Sequence, residues 1–179
     1  MKKVLKVILV ILLILIIAAG AFFGWLTLRE YRPEAVTDLS AASFADEDGN
    51  DLSAQRPALS GKSTFTVLSF NTGYGGLGKD EDFFMDGGTN SRAADKATVQ
   101  QYLAGIGDVV SGDYDLVILQ EVDTDSYRTY HINEVEQLAA GTSYHALNYS
   151  CPFVPIPFPP MGKVNSGLLT TTDFRIDSA

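Results

Sequence analysis

The hydrophobic and polar positions of this chain separate one long apolar segment from a region of short periodic segments. Residues 7–28 carry no charge and consist mainly of Ile, Leu and Val. As a helix this stretch is about 33 Å long, which matches the roughly 30 Å hydrocarbon core of a bilayer. The pattern predicts a transmembrane helix, preceded by a short basic end at residues 1–6.

Alternating strand and helix patterns begin near residue 64. Residues 64–70 are rich in β-branched and aromatic side chains and predict a strand, and the apolar residues 116–119 predict a second strand, buried on both faces. Asn90 or Ser91 is expected to cap a helix between them. The apolar positions of that helix are spaced by four, three and four residues: Val99, Leu103, Ile106 and Val110.

The remaining segments extend the same alternation and predict an α/β fold. A second helix is expected over residues 133–140, followed by strands at 143–149 and 164–170. A proline-rich segment separates these two strands. We expect it to form a rigid loop with the aromatic rings of Phe153 and Phe158 tucked inward; the alternative is an apolar segment that contacts a membrane or a lipid.

Residues 29–63 show little hydrophobic periodicity and include an acidic cluster at residues 46–51. This composition is typical of a tether that holds a domain away from a bilayer. The predicted organisation is therefore a cytoplasmic end, a transmembrane anchor, an extracytoplasmic tether and a domain over residues 64–179.

The distribution of charge sets the expected topology and excludes one class of function. The chain holds 13 Lys+Arg against 22 Asp+Glu, and residues 33–179 hold 8 against 21, a net charge of −13. Such an acidic region excludes a globally basic nucleic-acid-binding module. The three lysines before the apolar segment place the N-terminus in the cytoplasm and the domain outside, as a single-pass protein of the cell membrane.

A cleaved signal peptide is the alternative to the anchor, because Ala19-Gly20-Ala21 has the form that a signal peptidase accepts. Apolar residues continue past that point to Leu28, which favours the uncleaved anchor. Cys151 is the only cysteine, so the exported domain needs no disulfide partner.

Two polar residues at predicted strand ends are the candidates for chemistry. Asn71 ends the first strand, and Glu121 follows the buried second strand, where a carboxylate costs several kcal/mol unless it is paired or ligated. If the strands are neighbours, an amide oxygen and a carboxylate converge and suit a divalent cation such as Mg²⁺. The alternative is that Glu121 pairs with Arg128 or Arg92 while Asn71 only caps a turn.

Four segments resemble, in order and spacing, the opening half of the endonuclease/exonuclease/phosphatase superfamily of DNase I-like proteins. The most specific is the Leu-Gln-Glu-Val step at residues 119–122. The others are residues 65–72, the loop from Ser126 to Arg128, and residues 165–170. The resemblance implies a four-layer α/β/β/α sandwich, of which this chain supplies the N-terminal part, and hydrolysis of a phosphoester, in particular a phosphodiester.

The resemblance also implies roles for individual residues. Glu121 corresponds to the family's metal-binding glutamate, for Mg²⁺ or Mn²⁺, and Asn71 to a catalytic asparagine near the metal and the scissile phosphate. Ser126 and Arg128 are expected to bind the substrate phosphate, which belongs to a nucleic acid or a lipid headgroup. The alternative for Arg128 is a structural pair with Asp123 or Asp125.

The family's later catalytic elements do not occur in this sequence. The two histidines, His131 and His145, precede the position of the family's catalytic histidine, and we expect both to be surface or turn residues. This predicts a truncated chain that is inactive alone. A non-catalytic, membrane-anchored binding or assembly module is the alternative.

Overall fold

The computed structural model describes residues 2–39, 56–58 and 63–176, and the chain divides into two compact units, residues 1–32 and 33–179. The first unit contains helix α1 (Lys2–Leu28). Its 27 residues have a mean hydropathy of 3.1, so its length and composition suit a membrane span, features that a signal sequence shares. The predicted span 7–28 lies within α1, which begins earlier because the helix includes the basic end.

The second unit is an α/β structure with one four-stranded sheet in its described part. The strand order is β1-β2-β4-β3, with β1 parallel to β2 and β4 antiparallel to both of its neighbours. The elements in chain order are β1 (Val67–Asn71), α2 (Lys96–Val110), β2 (Leu116–Asp123), α3 (Glu134–Leu138), β3 (Thr142–Val154) and β4 (Gly162–Thr172). The predicted α/β class is confirmed.

The hydrophobic core lies between one face of the sheet and the helices α2 and α3. Its members include Val99 and Leu103 of α2, Leu119 of β2, Leu138 of α3 and Leu169 of β4. The strands alternate: β1 directs Leu68 and Phe70 toward this core and leaves Val67 exposed. Strand β2 is consequently half-buried on its second face, not buried on both faces as its apolar run predicts.

Helix α2 is capped by Asp95, so the predicted cap at Asn90 or Ser91 is wrong. Asp95 has extended backbone angles, and its carboxylate accepts hydrogen bonds from the backbone N–H and the hydroxyl of Thr98. The backbone of Asn90 belongs instead to the preceding loop, where its N–H donates to the carbonyl oxygen of Asp82. Aspartate caps a helix as well as asparagine or serine does. The conformation of the preceding loop determines which of these residues stands at the first turn of α2.

The proline-rich loop between β3 and β4 also differs from its prediction. Phe153 is half-buried, but the side chain of Phe158 is 94% exposed. The inward placement predicted for both rings is therefore wrong for Phe158.

The described parts of the predicted tether are residues 29–39 and 56–58, and beyond the end of α1 they contain no helix or strand. Arg56 forms an ion pair with Asp173 at 2.8 Å, and Arg175 donates its backbone N–H to the carbonyl oxygen of Pro57. This part of the predicted tether thus packs against the end of the domain. The acidic cluster 46–51 lies outside the described residues.

Candidate functional site

The carboxyl ends of the parallel strands β1 and β2 lie side by side, and they bring the two predicted residues together. Asn71 is in register with Gln120, the residue before Glu121. The β2–β4 pairing shifts register between Leu119 and Val122, so Glu121 lies in a β-bulge. Its φ of +58° is in the left-handed region, a conformation that costs a non-glycine residue about 1 to 3 kcal/mol and often marks functional sites.

The amide of Asn71 contacts Glu121 through its nitrogen. Asn71 Nδ2 donates to Glu121 Oε1 at 3.0 Å, and Asn71 Oδ1 accepts from the backbone N–H of Gly73 at 2.8 Å. The Gly73 N–H can only donate, which settles which atom of the amide is the oxygen. The predicted contact is present, but the amide oxygen that was expected to face a cation instead caps the turn after β1. Asn71 therefore orients Glu121.

Thr72 supports the unusual backbone of Glu121, a role that sequence patterns did not indicate. Its backbone N–H donates to the carbonyl oxygen of Gln120 at 2.9 Å. Its hydroxyl lies 3.0 Å from the carbonyl oxygens of both Gln120 and Glu121. These contacts hold the bulge in place and compensate for the strain at Glu121.

Glu121 faces a groove of about 580 Å³ between the glycine-rich loop after β1 and one side of α2. Glu121 is the single acid in its lining, and Asn71 and Gln101 add amide groups. The apolar part of the lining includes Phe70, Leu77, Ile106 and Val109. A carboxylate in the lining of a partly apolar, open groove is an arrangement that suits a ligand with a polar head and an apolar body.

The glycine-rich loop lies close to α2 because its glycines lack side chains. A Cβ at Gly75 would lie 2.9 Å from Leu103, and a Cβ at Gly78 would lie 2.0 Å from the ring of Tyr102. Gly75 also has a φ of +57°, which glycine adopts without strain. These two positions keep the groove narrow.

Arg128 is buried away from the groove lining. Its Nε and Nη2 atoms donate to the two carboxylate oxygens of Asp123 at 2.8 and 2.9 Å, and its guanidinium lies 3.6 Å from the ring centre of Tyr74. Arg128 therefore forms the structural pair with Asp123 that was the alternative to phosphate binding. Phosphate binding would require Arg128 to leave these partners, and Asp123 would then be a buried, unpaired carboxylate.

Ser126 is fully buried and is also used by the fold. Its hydroxyl donates to the carbonyl oxygen of Asn165 at 2.9 Å and accepts from the backbone N–H of Asn165 at 2.8 Å. The hydroxyl thereby ties the loop after β2 to β4. No contact in the described residues supports the predicted phosphate-binding role of Ser126.

Glu134 is a buried carboxyl group beside the Asp123–Arg128 pair, and the sequence contained no signal for it. Its Oε2 accepts from the backbone N–H of Asp123 at 3.0 Å, while its Oε1 has no hydrogen-bond partner among the described residues. Burial, and then the charge of Asp123, raise the pKa of Glu134 to about 9. The group is consequently a neutral acid in the folded protein at neutral pH.

Glu134 is expected to make the protein less stable as the pH rises. Unfolded Glu134 ionises above its ordinary pKa of 4.5, whereas the folded protein keeps the proton up to about pH 9. Between these values the folded state binds more protons, so relative to Glu134→Gln the free energy of unfolding falls by at most about 1.4 kcal/mol per pH unit. Urea titrations of the full chain in detergent micelles from about pH 5 to about pH 8 measure this difference.

Glu136→Gln is the matched control, because it makes the same substitution at an exposed position of the same helix. We expect its stability relative to wild type to change much less with pH. Parallel pH profiles of wild type and Glu134→Gln would show that Glu134 is ionised inside the fold and would contradict its assignment as a neutral acid.

The two histidines are both engaged outside the groove. His131 is an exposed turn residue, as predicted, and its Nδ1 lies 2.7 Å from Asp125 Oδ1. His145 is half-buried in β3, with Nε2 3.3 Å from the carbonyl oxygen of Val122, and burial lowers its pKa. The surface or turn position predicted for His145 is wrong, because His145 lies within strand β3, where it pairs with Leu169 of β4 and is half-buried.

Within residues 2–39, 56–58 and 63–176, no group of three or more His, Cys, Asp or Glu side chains is arranged to hold a metal ion. In comparisons with protein-family models, curated proteins and solved structures, no match to this chain was found. The interpretation of the site therefore depends on the geometry of the chain itself.

Proposed function

We propose that this protein is a membrane-anchored, metal-dependent phosphoester hydrolase of the endonuclease/exonuclease/phosphatase superfamily. The observation that carries the proposal is the Asn71–Glu121 contact, at 3.0 Å, at the shared carboxyl edge of two parallel strands. Ligand sites of α/β sheets characteristically lie outside this edge. The strained backbone of Glu121 adds to the support, because such strain persists where the surrounding structure enforces it.

The residues at this edge fit a water-rich Mg²⁺ or Mn²⁺ site. Mg²⁺ is usually bound by one or two carboxylates, several waters and substrate phosphates, not by a closed cage of side chains. Glu121 is the carboxylate that would hold the ion, and Asn71 fixes the orientation of that carboxylate by hydrogen bonding to one of its oxygens. When bound, such an ion would neutralise charge on phosphoryl oxygens.

The groove suggests how a substrate would be held. Its apolar wall, formed in part by Leu77, Ile106 and Val109, would contact the non-phosphate part of the ester. Residues 33–179 carry a net charge of −13, which argues against tight binding of duplex DNA. A small phosphodiester or a lipid headgroup fits this groove better than a nucleic acid duplex.

Hydrolysis also needs a general base, and among the described residues that line the groove there is none besides Glu121. A carboxylate that binds a metal cannot at the same time remove a proton from water. A general base contributes about 10²- to 10⁴-fold to the rate, so we expect little turnover from these residues alone. We propose that the carboxyl edge of β1 and β2 acts as part of the family's four-layer sandwich. In that sandwich a second sheet and the later catalytic residues complete the site.

We propose further that α1 spans the cell membrane with the N-terminus in the cytoplasm. Lys2, Lys3 and Lys6 precede the apolar part of the helix, and positively charged residues are retained on the cytoplasmic side. The domain is then extracytoplasmic. This location is consistent with a fold that needs no disulfide.

The metal site is tested by replacing Glu121 with Gln in the full chain in detergent micelles. We expect the isotherm for Mn²⁺ binding to lose its strongest site, because the amide is neutral and a weaker ligand for a hard cation. Glu136→Gln is the control, since it removes the same charge from an exposed position and should leave that site intact. Equal Mn²⁺ affinity in wild type and Glu121→Gln, measured by calorimetry, would exclude Glu121 as a ligand.

A non-catalytic anchored binding or assembly module is the second candidate, and the absence of a separate base from the described groove lining favours it. The hydrolase and the binding module are distinguished by incubating the chain with Mn²⁺ and bis(4-nitrophenyl) phosphate. Turnover that disappears in Glu121→Gln supports the hydrolase. Absence of both turnover and a Glu121-dependent Mn²⁺ site favours the module, because metal binding without turnover is also the expected result for a hydrolase site that lacks its general base.

A further inference from the structure

We propose that the loop between β3 and β4, residues 155–160, inserts into the surface of the phospholipid bilayer that α1 spans. This inference rests on the proposed membrane anchor and is independent of the hydrolase activity and of the orientation of α1. The loop forms the tip of a hairpin built from β3 and β4.

Two large apolar side chains project from this tip into solvent. Ile156 is 63% exposed, and Phe158, at 94%, is more exposed than any other large hydrophobic residue among those the structure describes. Single exposed apolar residues are common, but two on one projecting loop make a patch that water solvates poorly. A bilayer interface would remove both side chains from water at once.

The loop is rigid enough to insert without a large loss of conformational freedom. Four of the chain's seven prolines lie in it: Pro155, Pro157, Pro159 and Pro160. Each proline ring fixes one backbone angle before any contact forms. Preorganisation of this kind lowers the entropic cost of docking.

The base of the loop offers charge that complements lipid phosphates. A cavity of about 330 Å³ there is lined by Arg92, Tyr127, Phe153 and Lys163, among others. The guanidinium of Arg92 lies 4.8 Å from the ring centre of Tyr127, and no acid lies within salt-bridge distance of it in the described part of the chain. Lys163, by contrast, is paired with Asp125. Arg92 therefore provides positive charge at the base of the loop, where it would attract a lipid phosphate.

The proposed anchor α1 attaches the domain to a bilayer, which makes the bilayer the expected partner of the loop. Residues 29–66 connect α1 to β1 and can extend over at most about 130 Å, which limits how far the domain can move from the bilayer. Tethering raises the effective concentration of the surface, which allows a contact of two side chains to be populated. Because residues 33–179 carry a net charge of −13, apolar insertion and not attraction to anionic lipids is the expected driving force.

Tryptophan fluorescence of the full chain in phosphatidylcholine vesicles tests this contact. Trp25 is the only tryptophan, so Trp25→Phe combined with Phe158→Trp places a single reporter at the loop tip. Trp25→Phe combined with Met85→Trp is the matched control, because Met85 is 72% exposed on a different loop. Both new positions are on the surface, so the fold should be retained, which circular dichroism checks.

With brominated phosphatidylcholine, we expect the reporter at position 158 to shift to shorter wavelength and to lose most of its emission. The reporter at position 85 should stay unshifted and accessible to aqueous iodide. Equal quenching at both positions, or no quenching at position 158, would overturn the loop contact. Quenching of Trp25 in the unmodified chain measures insertion of α1 separately, so failure of the anchor is distinguished from failure of the loop.

Discussion

Arg128→Ala is expected to lower the free energy of unfolding by about 3 to 5 kcal/mol, because it leaves a buried carboxylate without its counter-charge. Asp123 is fully buried and receives two hydrogen bonds from Arg128. Arg128 also packs against Tyr74, so truncation removes a cation–π contact as well. Urea unfolding of the full chain in detergent micelles, followed by near-ultraviolet circular dichroism, measures the loss.

Lys163→Ala is the control for this prediction. Lys163 forms an ion pair with Asp125, but both side chains are largely exposed, so its loss should cost about 0 to 1 kcal/mol. Combining Arg128→Ala with Asp123→Ala should cost less than the sum of the single substitutions, since no unpaired buried charge remains. An additive double variant would show that the two residues do not stabilise the fold as a pair.

Leu103→Ala should cost about 2 to 5 kcal/mol of unfolding free energy, the range for large-to-small substitutions in a core. Leu103 is almost completely buried in the cluster between α2 and the sheet. The backbone of Gly75 lies against it so closely that even a methyl group there would contact the leucine at 2.9 Å. The cavity left by the substitution would therefore lie between α2 and the glycine-rich loop, under one wall of the groove.

Val109→Ala separates core packing from helix effects, because Val109 lies on the same helix but is 45% exposed. We expect a change of about 0.5 kcal/mol or less in the same urea titration. A similar cost for both substitutions would mean that the Leu103 side of α2 is not the face that holds the helix on the sheet.

The convergence of Asn71 and Glu121 could be predicted because both residues end segments with clear strand patterns. Parallel neighbours end at the same edge of a sheet, and β1 and β2 are such neighbours. The atoms in contact could not be predicted. The backbone N–H of Gly73 takes the amide oxygen of Asn71, and only the turn geometry reveals this.

The sequence also did not determine which aspartate forms an ion pair with Arg128. The sequence contains Asp123 and Asp125 at similar distances along the chain, and both are plausible partners. The structure pairs Arg128 with Asp123 and leaves Asp125 to His131 and Lys163. Which aspartate points inward depends on the bulge in β2, a feature without a sequence pattern of its own.

The sequence by itself determined the long apolar helix, the α/β order and the strand ends where polar residues collect. These features follow from local periodicity, which each segment carries without reference to the others. Only the tertiary structure decided that Glu134 is buried beside Asp123 and that Phe158 faces solvent. Burial of an individual side chain depends on which distant segments cover it, and that depends on sheet register and backbone geometry, not on spacing along the chain.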